Sequence, residues 1–175
     1  MRFTATKLAG ACIIEPQPRE DSRGLFARTY CAREFHEQGL VDSFVQCNTS
    51  WNARKGTVRG LHYQLPPSSE VKLVRCTAGS LWDVIVDVCP DSPTYLQHVA
   101  VELSARNRLA LYIPEMFAHG FQALEDATEV FYQMSDFYTP KLAKGVRYDD
   151  PKIGIQWPLP VASISDQDLS WTLLE

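Results

Sequence analysis

The chain has 175 residues, 45% hydrophobic and 22% charged, the length of one domain and the composition of a folded chain rather than a disordered one. Seventeen Lys and Arg against twenty-one Asp and Glu leave a net charge of -4, without the basic surplus expected of a nucleic-acid binder. The five cysteines are odd in number and lack a CxxC pair, which argues against a disulfide framework and a close-paired zinc site. They read as buried, reduced thiols of a cytoplasmic protein.

Taken in chain order, the apolar run 8–14 stops at Glu15-Pro16, too short for a secretory segment, and predicts a strand over 10–14. No stretch approaches the ~18 apolar residues of a membrane span. Residues 32–38 predict one short helix, closed by Gly39. From there, alternation and apolar runs predict strands over 44–50, 56–64, 71–78, 80–88, 96–103, 108–113, 120–124 and 128–138. Turns fall at Ala78-Gly79, Pro90-Asp91-Ser92-Pro93, Ala105-Arg106-Asn107 and Glu125-Asp126. Many short strands with almost no helix predict an all-β sandwich or barrel of the jelly-roll kind, able to hold a ligand in its mouth. With no linker and no repeat, one domain accounts for residues 1–175.

Alternation also predicts shared faces. His62 falls with Gly60 and Gln64, Lys72 with Val74 and Cys76, and Tyr132 with Val130 and Met134. The densest polar run is Gln46-Cys-Asn48-Thr-Ser50, then Arg59-Gly-Leu-His62-Tyr-Gln64, then Lys72. Any one of these groups reads as part of a satisfied network within the sheet, but the cluster points to a ligand. A metal is disfavoured, because the four histidines (His36, His62, His98, His119) form no HxH pair. Proton chemistry is the natural alternative, with a histidine as base, Lys72 stabilising an oxyanion and Tyr132 returning a proton. Those roles describe enolisation beside a carbonyl. Asp83, Asp87, Asp166 and Asp168 are all candidates to orient that histidine, and spacing does not choose among them.

Seven motifs in order carry a resemblance: Asp21-Ser-Arg23-Gly24-Leu-Phe26, the Gln46 and Arg59 runs above, Lys72-Leu-Val, Asp83-Val-Ile-Val-Asp87, Ile113-Pro-Glu-Met-Phe-Ala-His119-Gly-Phe121 and Tyr148-Asp-Asp150-Pro151. Together they resemble the dTDP-4-dehydrorhamnose 3,5-epimerase family over about residues 10–170. The resemblance implies a cupin jelly-roll homodimer with short flanking helices, acting without metal or cofactor on a nucleotide-linked 4-keto-6-deoxyhexose. By the same resemblance His62 matches the base, Asp168 its support, Lys72 the enolate stabiliser and Tyr132 the acid. Arg59, His119, Gln46, Asn48 and Tyr138 match substrate contacts. Arg23 and Phe26 match an N-terminal segment that reaches a neighbouring subunit's nucleotide, which implies that about residues 1–40 pack on the partner subunit. Arg28, Ala143 and Gln167 depart from the family's usual Glu, Glu and Lys at expected substrate contacts, which leaves CDP- and GDP-sugars open. Epimerases of only C3 or only C5 share the same motifs, and a 3,4-ketoisomerase of the same fold and a non-catalytic cupin that binds a nucleotide sugar stay open as alternatives.

Overall fold

The computed structural model describes residues 1–174 and folds the predicted alternation into two facing antiparallel sheets. In chain order the first elements are β1 (Arg2–Ala5), β2 (Cys12–Glu15), β3 (Arg19–Asp21), β4 (Gly24–Phe26), α1 (Ala32–Glu37), β5 (Gln46–Asn52), β6 (Val58–Gln64) and β7 (Lys72–Ala78). Then follow β8 (Ser80–Asp87), β9 (His98–Ser104), β10 (Ala110–Ile113), β11 (Phe117–Ala123), β12 (Thr128–Met134), β13 (Ala143–Gly145) and α2 (Asp166–Leu169). One sheet runs β1-β2-β10-β7-β12-β5 and the other β13-β6-β11-β8-β9, while β3 and β4 pair only with each other. This is a cupin-type jelly roll flanked by short helices.

Alternation explains the core. Val74, Cys76, Leu111, Ile113 and Val130 from the first sheet meet Leu81, Ile85, Leu103, Phe117 and Phe121 from the second, all buried. Each of the Val, Leu, Ile and Phe side chains contributes about 1.5–3 kcal/mol by leaving water. The outer face of the six-stranded sheet is sealed by α1, whose Phe35 is fully buried between Phe3, Tyr30, Phe44 and Tyr112. Leu61, Val84, Val86 and Ala118 point outward from the second sheet and are covered by Val146 and Ile153.

The differences from expectation have physical causes. Strand β12 stops at Met134 rather than running to 138, and β11 begins at Phe117. β1, β3, β4 and β13 carry mostly exposed or half-exposed residues, so no apolar alternation marks them in the sequence. Of the thiols expected to be buried, only Cys12 and Cys76 are. Cys47 is exposed, because strand β5 turns Gln46, Asn48 and Ser50 inward and Cys47 and Trp51 outward. Much of the segment 1–40 packs within its own chain, since β1 and β2 complete the six-stranded sheet and α1 caps it. Only the β3–β4 hairpin projects. No helix among the described residues is long and apolar enough to cross a membrane.

Candidate active site

A cavity of about 780 Å³ is lined from both sheets and from the segment that carries α2. On one wall, strand β6 presents Arg59 and His62, three residues apart. In a regular strand these would face opposite ways, but a bulge against β11 pairs Arg59 with Phe121 and His62 with His119. The bulge therefore puts Arg59, rather than Gly60, on His62's face, correcting the simple alternation. Gly60 permits it. Its φ is +104°, and a Cβ there would lie 2.6 Å from both the Gly120 Cα and the His119 carbonyl oxygen.

The α2 segment supplies the partner of His62. Ser165 caps the helix, its hydroxyl accepting the Asp168 N–H at 3.1 Å, and Trp171 packs over Gly145 of β13, opposite His62. Asp168 Oδ1 then lies 2.5 Å from His62 Nε2, while Oδ2 accepts the Gly60 N–H at 3.2 Å. Burial pushes the Asp168 carboxyl up, but hydrogen bonds from His62 and Gly60 outweigh it and hold the group below its ordinary value. The carboxylate is thus ionised and accepts Nε2–H, which leaves the lone pair of the neutral ring on Nδ1. Of the four aspartates open in sequence, Asp168 meets His62. Asp83 instead meets His119, with Nε2 and Oδ1 2.7 Å apart. Asp87 accepts from Ser92 and Thr94, away from the cavity.

The facing sheet supplies Lys72 and Tyr132. The Lys72 ammonium donates to the His62 carbonyl at 2.9 Å and forms an ion pair with Glu70 Oε1 at 3.0 Å. Tyr132 lies in register between Asn48 of β5 and Val74 of β7. Burial pushes its phenol above the ordinary value, with Arg59 working against the rise, so it stays protonated at neutral pH. Arg59 is aimed by Asn52, whose Oδ1 accepts Nε–H at 2.8 Å. Gln46, Asn48 and Tyr138 complete this side, with the Tyr138 N–H donating to Gln46 Oε1 at 3.2 Å.

The wall carries three cations, Arg59, Lys72 and Lys144, against two carboxylates, Glu70 and Asp168, each already engaged by a basic neighbour. An anion is therefore the favoured occupant, although the whole chain carries a net charge of -4. Buried Ser50 Oγ, Glu70 Oε2 and Trp171 Nε1 on the same wall have no hydrogen-bond partner among the described residues, the mark of a pocket built around a polar ligand.

Along residues 5–175 the chain matches the family model for dTDP-4-dehydrorhamnose 3,5-epimerase. The chain belongs to that family. It is 44% identical to the dTDP-4-dehydrorhamnose 3,5-epimerase of Methanothermobacter thermautotrophicus over 173 residues, 97% of this chain and 92% of the relative. The Bacillus anthracis dTDP-4-dehydrorhamnose 3,5-epimerase, solved with TDP and PPi bound, superposes with a TM-score of 0.96 at 38% identity, covering 99% of each chain. The Legionella pneumophila dTDP-6-deoxy-D-glucose-3,5-epimerase, solved with dTDP-4-keto-L-rhamnose, gives 0.92 at 38% identity, covering 98% of this chain and 92% of that one.

Within this epimerase-family fold the expected residues divide into two groups. His62, Lys72, Tyr132, Asp168, Gln46, Asn48, Arg59, His119 and Tyr138 gather around the one cavity. Arg23 and Phe26 do not line it; both sit on the projecting hairpin, where Arg23 pairs with Asp21 and Phe26 is 74% exposed. Of the departures, Ala143 and Gln167 lie on the cavity wall, whereas Arg28 pairs with Glu34 outside it. Sequence reasoning missed Glu70, Asn52 and the cap at Ser165. The last had a signal, since Ser165-Asp-Gln-Asp168 follows the Ser-x-x-acid pattern of a helix start.

Proposed function

We propose that the chain inverts C3 and C5 of dTDP-4-dehydro-6-deoxy-D-glucose, giving dTDP-4-dehydro-L-rhamnose. The observation that carries this reading is the opposition of an Asp-supported imidazole on one sheet and a protonated phenol on the other, across one cationic cavity. The C4 ketone acidifies the hydrogens at C3 and C5. His62 Nδ1 takes one of them as a proton, and Asp168 stabilises the imidazolium that forms. The electron pair moves onto O4, where Lys72 holds positive charge in advance. Tyr132 gives its proton to the opposite face of the carbon, and solvent re-protonates the phenolate as the imidazolium releases its proton. The acid and the base each contribute about 10²–10⁴-fold. Every step is a proton transfer, so the scheme calls for no cofactor.

Arg59 and His119 flank the sugar-diphosphate in this reading, and Gln46, Asn48 and Tyr138 frame the nucleotide. The working unit is a homodimer in which Arg23 and Phe26 reach the neighbouring nucleotide; the exposed Phe26 and Leu25 on a hairpin that packs on no sheet support that assignment. Light scattering at twice the chain mass tests it. The unpaired thiols suit the reducing cytoplasm.

Turnover in D₂O, followed by NMR, tests the reaction itself. Deuterium at both C3 and C5 supports the reading, and label at one carbon makes the chain a mono-epimerase. A moved carbonyl makes it a ketoisomerase. Turnover with only CDP- or GDP-linked sugars reassigns the nucleotide, while binding without exchange for any of them makes the chain a binding module.

A further inference from the structure

Glu70 stands just ahead of β7, two residues before Lys72 and on the same side of the chain. Both side chains are buried, 3% exposed for the carboxylate and 8% for the lysine. Glu70 Oε1 lies 3.0 Å from Lys72 Nζ, and this is the only polar contact of the carboxylate among the described residues. Its second oxygen, Oε2, is buried with no partner.

A pair of this kind contributes little to folding. Desolvating two charges costs roughly what their attraction returns, and an apolar pair of similar volume does as well or better. The cost here is higher still, because one carboxylate oxygen is left without a hydrogen bond. The position of Lys72 gives the arrangement a purpose. An ammonium carries three N–H donors. One goes to the His62 carbonyl at 2.9 Å, the Glu70 carboxylate holds the charge from 3.0 Å, and among the described residues the ammonium, which lines the cavity, makes no other polar contact. Lysine is otherwise a flexible stem with a mobile head. One backbone acceptor on the base itself and one buried counter-charge turn it into an oriented donor beside His62.

We propose that Glu70 is a positioning residue for the reaction, acting through Lys72 by fixing the ammonium so that its remaining N–H is aimed at the oxygen where negative charge develops. The proposal rests on the epimerase reading above. Pre-orientation is where such a donor gains its effect, since no reorganisation is then needed as charge forms. The ground state of the substrate, bound largely through its nucleotide and diphosphate, does not draw on it. Glu70 therefore contributes to kcat and not to KM.

The test uses Glu70→Ala and Glu70→Gln in the full chain, each also combined with Lys72→Met, with solvent deuterium incorporation into the keto-sugar as the readout. Lys72→Met alone should lose roughly 10²–10³-fold in kcat, the usual effect of removing one oxyanion donor. Glu70→Ala should lose about tenfold or more with KM within about threefold, and Glu70→Gln, which keeps an acceptor oxygen, should lose less. In the Lys72→Met background either change should alter kcat by less than about twofold, because nothing is left to position.

A kcat for Glu70→Ala within twofold of the unmodified chain overturns the proposal. So does an equal loss with and without Lys72, which would make Glu70 act independently. Should Glu70→Ala fail to fold, Glu70→Gln decides by the same criteria. No deuterium incorporation by the unmodified chain overturns the epimerase reading instead, so the two failures are distinguishable.

Discussion

Asp168→Asn removes one charge and leaves the shape of the side chain almost unchanged, so its effect can be worked from two distances. Asp168 accepts twice: from His62 Nε2–H at 2.5 Å and from the Gly60 N–H at 3.2 Å. Asparagine has one oxygen and one NH₂ and cannot satisfy both donors. If its oxygen faces His62, the NH₂ opposes the Gly60 N–H, and the imidazolium loses a charged partner. A hydrogen bond to a charged group is worth about 1.5–3 kcal/mol, or roughly a 10- to 10²-fold loss of rate. If the NH₂ faces His62 instead, the ring proton must move to Nδ1 and the base is lost, an effect of up to about 10⁴-fold in triad enzymes. We expect a fall in kcat of about 10²-fold, with KM nearly unchanged because Asp168 lies behind the imidazole. Initial rates of deuterium incorporation at pH 7 measure it. A variant within twofold of the unmodified chain refutes the assigned role.

The same carboxyl links folding to pH. Its folded value lies below the ordinary 3.8, so its contribution to stability is complete above that value and is lost as pH falls through the folded value. Wild type and Asp168→Asn should therefore converge in stability below about pH 4 in urea titrations. In the alkaline range, burial pushes the Cys12 and Cys76 thiols up from 9.0 to about 11. The unfolded chain ionises first, so their stabilisation is intact below pH 9 and disappears as pH rises towards 11. A Cys12→Ala, Cys76→Ala double variant should lose less stability than wild type over that window; an identical loss would exclude the thiols as the cause. Gly60→Ala should destabilise by about 2 kcal/mol or more, because backbone atoms 2.6 Å from the new Cβ cannot swing aside. Its activity should fall further than its stability, since the bulge aligns Arg59 with His62, and a denaturation midpoint equal to wild type would contradict this.

The sequence showed strands wherever one face is buried. β7, β8 and β10 carry apolar residues at a readable period, and their predicted bounds lie within two residues of those found. The β3–β4 hairpin and β13 were silent because they bury little, leaving no apolar pattern to read. The chemistry-bearing residue types were also legible, as polar side chains crowded into strands. Their assembly was not. Asp168 reaches His62 from 106 positions away, and no local spacing separates it from Asp83, whose partner proves to be His119. The resemblance to the family, and not the pattern, singled out Asp168 in advance. Alternation failed at Gly60, where a bulge rotates Arg59 onto the face of His62. Glu70 went unnoticed because one acidic residue at a strand entrance looks like a solvated loop charge until the fold closes over it.

If His62 and Tyr132 work on opposite faces of one carbon, the variant Tyr132→Phe turned over in D₂O separates their two steps. With the acid removed, His62 can still take the proton and return deuterium to the face it came from. Exchange at the acidic carbon with the original configuration kept and no epimer formed is the expected result. Inversion at a rate within twofold of wild type would contradict it, because some other group would then be supplying the second proton.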